Sequence, residues 1–369
     1  MPRSRSVRPL FTTASFASAA LVPLLSLTSC GGDSLAPLPS EWIAADSTIR
    51  AAVNGAAIPG LGVSVYDASD RLVFSRTYGD FATDRRVAVA SASKMITGLV
   101  LFSLIDRGLL TLDDRLADVL GWGGEPRMVT LRHLLSFTSG FEPSDPCTVV
   151  AAITLEACTD QIRDVAFATA IGAEFNYGST HLQVAARMAE VVTGKPWNQV
   201  FRETIADPLG LPAGVEYFTL PRLAVGTTNP LAAGGLRASM QDYAKMLAVV
   251  FHSGTYGGVR ISNSSLFQQQ RVDQYPAALI RYSPMAATGR AYRYGLAAWL
   301  ECDTPASGCA SISSPGAFGF TPWLDRDAGY YAIIGMELSG LDGGVAAFSV
   351  DLQDALRPAI IAGLAGSRR

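Results

Sequence analysis

Between positions 87 and 108 the chain changes its hydrophobic period. The apolar run Val87-Ala88-Val89-Ala90 reads as a buried strand, and apolar residues then recur at helical spacing as Met95, Leu99, Phe102 and Ile105. The pattern predicts a strand delivering the chain to Ser91 and a helix starting there and ending near Gly108. Upstream, alternating segments at 61–66 and 71–78 flank Asp67-Ala68-Ser69-Asp70 and predict an antiparallel hairpin. Ser40 is the expected cap of a first helix running to about Val53. From 109 to about 220 helices and long loops dominate. Thr130 caps a short helix to Leu135, and a helix over 181–192 is closed by Gly194 and Pro196. A helix over 239–251 follows Gly234-Gly235. Strands return at 292–301, 316–324 and 330–336, before a last helix after Phe348. Strands at both ends with helices between them predict an α+β architecture, an antiparallel sheet flanked by helices plus a mostly helical lobe at about 109–230.

The N-terminus departs from this pattern. Arg3, Arg5 and Arg8 precede an apolar stretch that ends at Leu27-Thr28-Ser29-Cys30, the order of a secretory signal. Its closing cysteine resembles a bacterial lipoprotein signal, which predicts a leader at 1–29, lipid on Cys30, a flexible tether at 30–40 and a folded body at 41–369. The expected location is the cell envelope, with the membrane touched only through that anchor. No later segment offers the roughly 20 apolar residues of a spanning helix. A net charge of −3 gives no basic footprint for nucleic acid. Four later cysteines fall into local pairs, Cys147 with Cys158 and Cys302 with Cys309, and predict two disulfides. Zinc is disfavoured, since neither spacing is tight and His133, His181 and His252 all lie elsewhere; neither metal nor cofactor is expected. Oligomeric state is not legible.

The candidate chemistry begins at Ser91-Ala92-Ser93-Lys94. Three residues make nearly one helical turn, so Lys94 projects beside Ser91. A serine hydroxyl needs a neighbour to take its proton, and a lysine amine does so once burial lowers its pKa. Lysine is scarce here: only Lys94, Lys195 and Lys245 stand among 29 basic residues, and arginine cannot serve as a base. Alone, the motif equally describes a capping serine and an exposed lysine. The block Gly32-Asp33-Ser34-Leu35 matches another hydrolase class by chance, with no strand before it to hold the serine. Asn176-Tyr177-Gly178-Ser179, on a loop before the His181 helix, offers a phenol beside Lys94, whose charge is expected to lower the phenol pKa. His181 reads as a packing residue, and Asp113 and Asp114 as a loop device. Ala317-Phe318-Gly319-Phe320 reads as the opening of a strand that a ligand approaches.

Taken in order, Ser91-Ala92-Ser93-Lys94, the run 108–114, Leu134-Leu135-Ser136-Phe137-Thr138-Ser139-Gly140, Tyr177-Gly178-Ser179, Gly194-Lys195-Pro196, Pro208-Leu209-Gly210-Leu211 and Gly234-Gly235-Leu236 resemble the serine β-lactamase and penicillin-binding-protein superfamily, in its class C-like branch of esterases, D-amino-acid peptidases and amide hydrolases. The resemblance spans roughly 58–365 and implies a β-lactamase/transpeptidase-like fold. It implies Ser91 as acylated nucleophile, Lys94 as its proton partner and Tyr177 as general acid/base. Ser179 stands where the family has an asparagine, and Phe137 where it often has a histidine. The family's Lys-Thr-Gly strand aligns with Ala317-Phe318-Gly319, which implies the Phe320 N–H as second oxyanion donor beside that of Ser91.

The leading expectation is a secreted serine hydrolase acting on a small-molecule or peptide-like ester or amide. Alternatives are a β-lactamase or D-Ala-D-Ala carboxypeptidase, and a non-catalytic envelope lipoprotein that binds peptidoglycan or a protein. Intact Ser91, Lys94 and Tyr177 argue against the last. The missing strand lysine argues against the second, unless an arginine such as Arg237 or Arg290 replaces it.

Overall fold

The computed structural model describes residues 38–220, 223–340 and 344–367; the leader, most of the tether and Cys30 lie outside them. A seven-stranded antiparallel sheet runs in the order Arg293–Tyr294, Trp299–Leu300, Ser311–Ser313, Thr321–Asp325, Tyr330–Gly335, Gly60–Asp67 and Leu72–Gly79. The hairpin read from alternation is thus real, and it joins the far end of the chain through pairs such as Val63 with Ile334 and Val65 with Ala332.

Helices cover both faces because successive strand residues point to opposite sides. On one face Phe74, opposite Val65, stacks on Trp42 at 5.2 Å, and the helices Ile43–Gly55 and Val345–Gly366 pack there against each other. On the other face Gly62 and Gly335 lie directly under Met240, at the start of the helix Met240–Phe251. Between the two parts of the sheet the chain forms the helices Leu116–Leu120, Leu131–Leu135, Leu155–Asp164, Thr180–Thr193 and Trp197–Phe201. Thr130 and His133 close a capping box at the second of these, and Gly194 ends the fourth in a left-handed turn. Two disulfides, Cys147–Cys158 and Cys302–Cys309, clip local loops.

Four sequence expectations need correction. Ser40 does not cap the first helix; it opens a 3-10 turn, Ser40–Trp42, and Trp42 is the N-cap. The run before Ser91 is extended only at Val87–Ala88, because Ala90 turns to φ +47°. The helix after it, Ser93–Asp106, has no apolar stripe: residues 93–104 are all buried, so the helix is the core itself. Gly98 lets it lie against the hairpin turn at Ala297, whose methyl is 2.7 Å from where a Cβ on Gly98 would stand. The C-terminal strands are also shorter than their apolar runs. The stretch 292–301 is a hairpin turning through Ala297 at φ +58°, and 316–320 is a turn in which Gly316 and Gly319 N–H groups donate to Phe320 and Gly316 carbonyls.

Among the described residues no helix is long and apolar enough to cross a membrane.

Candidate active site

The turn at Ala90 sets the position of Ser91. The strand Val87–Ala88 pairs with Leu236–Ala238, and the chain then swings through the left-handed Ala90 into a 3-10 turn, Ala90–Ala92, that presents Ser91. Such a conformation costs of the order of 1–3 kcal/mol in a non-glycine residue. Local bonds hold it: Ser93 Oγ donates to the Ala90 carbonyl at 2.6 Å and accepts the Leu236 N–H at 3.0 Å, while Tyr243 donates to the Ala92 carbonyl at 2.8 Å. Ser314 Oγ donates to the Ser91 carbonyl at 2.9 Å.

Lys94 rises one turn later, only 4% exposed, with Nζ 3.0 Å from Ser91 Oγ and 2.8 Å from the Ala233 carbonyl. That carbonyl is strapped in place: Thr97 donates to the Ala232 carbonyl at 2.7 Å, and Gln183 accepts the Ala232 N–H at 3.2 Å. Burial pulls the lysine pKa from 10.5 to about 7. The face of the Tyr177 ring, 4.7 Å from Nζ, favours the ammonium, but a cation–π contact contributes about 0.5–2 kcal/mol. A depression of this size corresponds to about 5 kcal/mol, so burial wins.

Ser91 and Trp299 are the polar side chains that act on the Tyr177 phenol. Its pKa moves opposite to the sequence expectation. Burial raises it well above the ordinary 10, and the polar side chains of Ser91 and Trp299 offset only part of the rise. Lys94, only about half charged near pH 7, does not supply the expected depression. Tyr177 is therefore a protonated phenol, and Lys94 is the group able to accept a proton. The ring lies edge-on to Phe137 at 5.1 Å and stacked on Trp299 at 5.1 Å.

His181 is fully buried behind this group. Its Nε2 lies 2.8 Å from the Asn176 carbonyl, an obligate acceptor, so Nε2 carries the proton and Nδ1 accepts from Ser139 Oγ at 2.8 Å. Burial pushes its pKa down to about 4, which keeps the ring neutral. It packs and positions the Tyr177 loop, as does Phe137, buried at φ +57°.

Ser91, Lys94 and Tyr177 converge on a cavity of about 630 Å³ whose walls include Ser179, Leu220, Leu231, Tyr282, Ala317 and Phe318. Lys94 is the one charged residue among the described lining. Arg237 is occupied by Glu337 and the Arg86 carbonyl, and Arg290 by Asp351 and Asp354; neither reaches the cavity. Among the described residues no cluster of three His, Cys, Asp or Glu is arranged for a metal ion.

The loop 314–320 differs from its sequence reading. Gly319 and Phe320 do not line the cavity: Gly319, at φ +92°, is wedged under Met336 and Val345, and Phe320 is buried against Tyr243 at 5.1 Å. The stretch that passes Ser91 lies three residues earlier. Ser314 bonds Ser91, and a Cβ on Gly316 would stand 2.2 Å from the Val89 carbonyl. Sequence reasoning also missed the Ala233 carbonyl and Trp299. A glycine-bearing strap, Gly234-Gly235, marks the first, and no local signal marks the second.

The beta-lactamase family model matches residues 45–343. Penicillin-binding protein 4 of Amycolatopsis lactamdurans is 30% identical over 58% of this chain and 59% of its own length. The D-alanyl-D-alanine-carboxypeptidase/endopeptidase AmpH of Escherichia coli is 27% identical over 42% of this chain and 45% of its own. The chain thus spans about half the length of these curated relatives. Among solved structures, a putative beta-lactamase from Bacteroides dorei superposes with a TM-score of 0.76 at 30% identity, over 85% of this chain and 97% of that one. The unliganded simvastatin synthase of Aspergillus terreus shares the fold at a TM-score of 0.65 and 20% identity, over 88% and 99%. On the family match, which covers most of the sequence, and the fold just described, the chain belongs to the beta-lactamase family, among serine hydrolases and acyltransferases.

Proposed function

We propose that this protein is an exported serine hydrolase that forms an acyl-enzyme at Ser91 on esters or amides without a carboxylate beside the scissile bond. The observation that carries the reading is the buried Lys94 amine, 3.0 Å from Ser91 Oγ and with its pKa near 7. Ser91 Oγ attacks the acyl carbon as its proton passes to Lys94 Nζ. The oxyanion is received by the Ser91 N–H and, with the loop in its observed register, by the Ala317 N–H in place of Phe320. The bond to the leaving group breaks as Tyr177 gives that group its proton. In deacylation water attacks, its proton returns to the Tyr177 oxygen, and the proton on Lys94 returns to Ser91. An alcohol or amine in place of water gives acyl transfer by the same bookkeeping of protons.

Substrate class follows from the walls. A charge-assisted hydrogen bond to a carboxylate contributes about 1.5–3 kcal/mol, and no described lining residue other than Lys94 is a cation. Leu220, Leu231, Tyr282 and Phe318 favour an uncharged, apolar acyl group. The names of penicillin-binding protein 4 and AmpH favour a second reading, action on penicillins or D-alanyl peptides, and the same lack of a cation weighs against it. Two disulfides, with the leader sequence, support export and Cys30 as the lipid site.

Intact-protein mass spectrometry after parallel exposure to a fluorophosphonate, a penicillin and a short-chain nitrophenyl ester tests this. The expected result is a fluorophosphonate adduct on Ser91, ester turnover, and little or no penicillin turnover. Efficient cephalosporin hydrolysis, faster per enzyme than that of the ester, would overturn the substrate assignment.

A further inference from the structure

The strap 229–235 carries the Ala233 carbonyl, which accepts an N–H of Lys94 at 2.8 Å, and it gives Leu231 and Gly234 to the cavity wall. It is neither helix nor strand, so side chains must fix it. Two fully buried amides do so. Gln183 lies on the helix Thr180–Thr193, which starts three residues after Tyr177. Its Oε1 accepts the Ala232 N–H at 3.2 Å, and its Nε2 donates to Asn229 Oδ1 at 2.9 Å and to the Pro230 carbonyl at 3.0 Å. Asn229 Nδ2 donates in turn to the Cys147 and Val150 carbonyls at 2.8 and 3.0 Å.

The orientation of each amide follows from its neighbours. A backbone N–H only donates, and a backbone carbonyl only accepts. Ala232 and Pro230 therefore decide which end of Gln183 is oxygen, and Cys147 and Val150 decide it for Asn229. Each amide nitrogen has two hydrogens, and each of the four meets its own acceptor. A carboxylate or an alkyl group of the same size cannot reproduce this. The pair joins three segments that meet at the cavity: the helix behind the Tyr177 loop, the strap beside Lys94, and the loop 143–150, which supplies Pro143 and Ser144 to the wall. That loop is tied back to the helix start, since the Ser179 N–H donates to the Pro143 carbonyl at 2.7 Å.

We propose that Gln183 and Asn229 are positioning residues for proton transfer at Ser91: together they hold the Ala233 carbonyl against Lys94 and keep the strap closed over that amine. The proposal rests on the reading of Ser91 and Lys94 given above. Neither amide is among the described lining of the cavity, so both act through the strap. Burial is what brings Lys94 down to about 7. A loosened strap lets water reach the amine, which then returns toward 10.5 and keeps its proton at neutral pH.

The pH profile tests it. Gln183→Met keeps the length of the side chain and deletes the amide. Its kcat/KM for a nitrophenyl ester is expected to fall about fivefold or more at pH 7 and to come within about twofold of the unaltered protein at pH 9, as the acid side of the profile moves up by about one pH unit or more. Asn229→Ala, which leaves the Ala232 N–H its partner, is expected to move the profile the same way by less, and it carries the test if the first variant does not fold. The double variant should move it no further than Gln183→Met alone. Equal losses at both pH values, or a profile unmoved in both variants, would overturn the proposal, because a merely structural amide does not sense the protonation of Lys94. Fluorophosphonate labelling of Ser91 in the same variants reports an intact site, and failure to label the unaltered protein would strike the underlying reading instead.

Discussion

The two walls of the cavity are built on different principles. One wall, Ser91, Lys94 and Tyr177 with the Ala233 carbonyl behind them, is polar, with the buried Lys94 bonded both to Ser91 Oγ and to that carbonyl. The other, Leu220, Leu231, Tyr282 and Phe318, is apolar, and Tyr282 is 54% exposed at the rim. In the function proposed here, the first handles the protons of the reaction and the second, which offers area without direction, selects the acyl groups that fit. Changes to the first wall should strike turnover, and changes to the second should redistribute it among substrates.

The sharpest way to break this division is Ser91→Ala, expected to lower turnover by about 10⁴-fold or more and to abolish covalent labelling, with the far-UV spectrum unchanged. Retained hydrolysis would dissolve the polar wall as a catalytic unit. Next in size, Lys94→Met and Tyr177→Phe should each cost about 10²–10⁴-fold, and the double variant little more than the worse single one, as read by steady-state kinetics. The pH profile follows from the same wall. Lys94 must be neutral to accept a proton, so kcat/KM should fall roughly tenfold per pH unit below an apparent pKa near 7. Because Tyr177 is raised above its ordinary value, no alkaline loss from this group is expected up to pH 10. The stability sign is the reverse of that for a stabilised ammonium: the unfolded chain binds the Lys94 proton between pH 7 and 10.5 and the folded chain does not, so this residue makes stability rise with pH there.

Beside the apolar wall, at the lining residue next to Phe318, Ala317→Lys should raise the relative kcat/KM for a carboxylate-bearing ester over its neutral analogue by about tenfold or more. No shift in that ratio would mean the wall does not set selectivity. The smallest effect on turnover is expected from Cys147→Ser combined with Cys158→Ser. The closed loop is short, so the pair contributes about 2–3 kcal/mol, read as a lowered Tm with ester turnover largely kept.

The polar wall was also the more legible. Ser91 and Lys94 face each other because a spacing of three is a local property of helices. Tyr177 came from a resemblance, and its protonation did not, because burial depends on Phe137, Trp299 and Tyr294 arriving from distant parts of the chain. The sheet order was foreseen only as strands at both ends, since pairing of Val65 with Ala332 is not written in either segment. The loop 314–320 was misread by three residues for a similar reason. Gly316 and Gly319 both punctuate an apolar run, and what separates them is that Gly316 must pass a carbonyl of the nucleophile's own segment while Gly319 must turn under Met336.

The close fit of Gly98 against Ala297 carries a consequence for how this protein can change. It couples the helix bearing Lys94 to the hairpin bearing Trp299, with no room for a methylene between them. A library randomised for new substrates should therefore find working variants at Leu220, Leu231, Tyr282 and Phe318, and almost none at 98 or 297. The residues free to evolve and the residues proposed to do the chemistry lie within one cavity, and a single missing Cβ helps to keep the second set still while the first is exchanged.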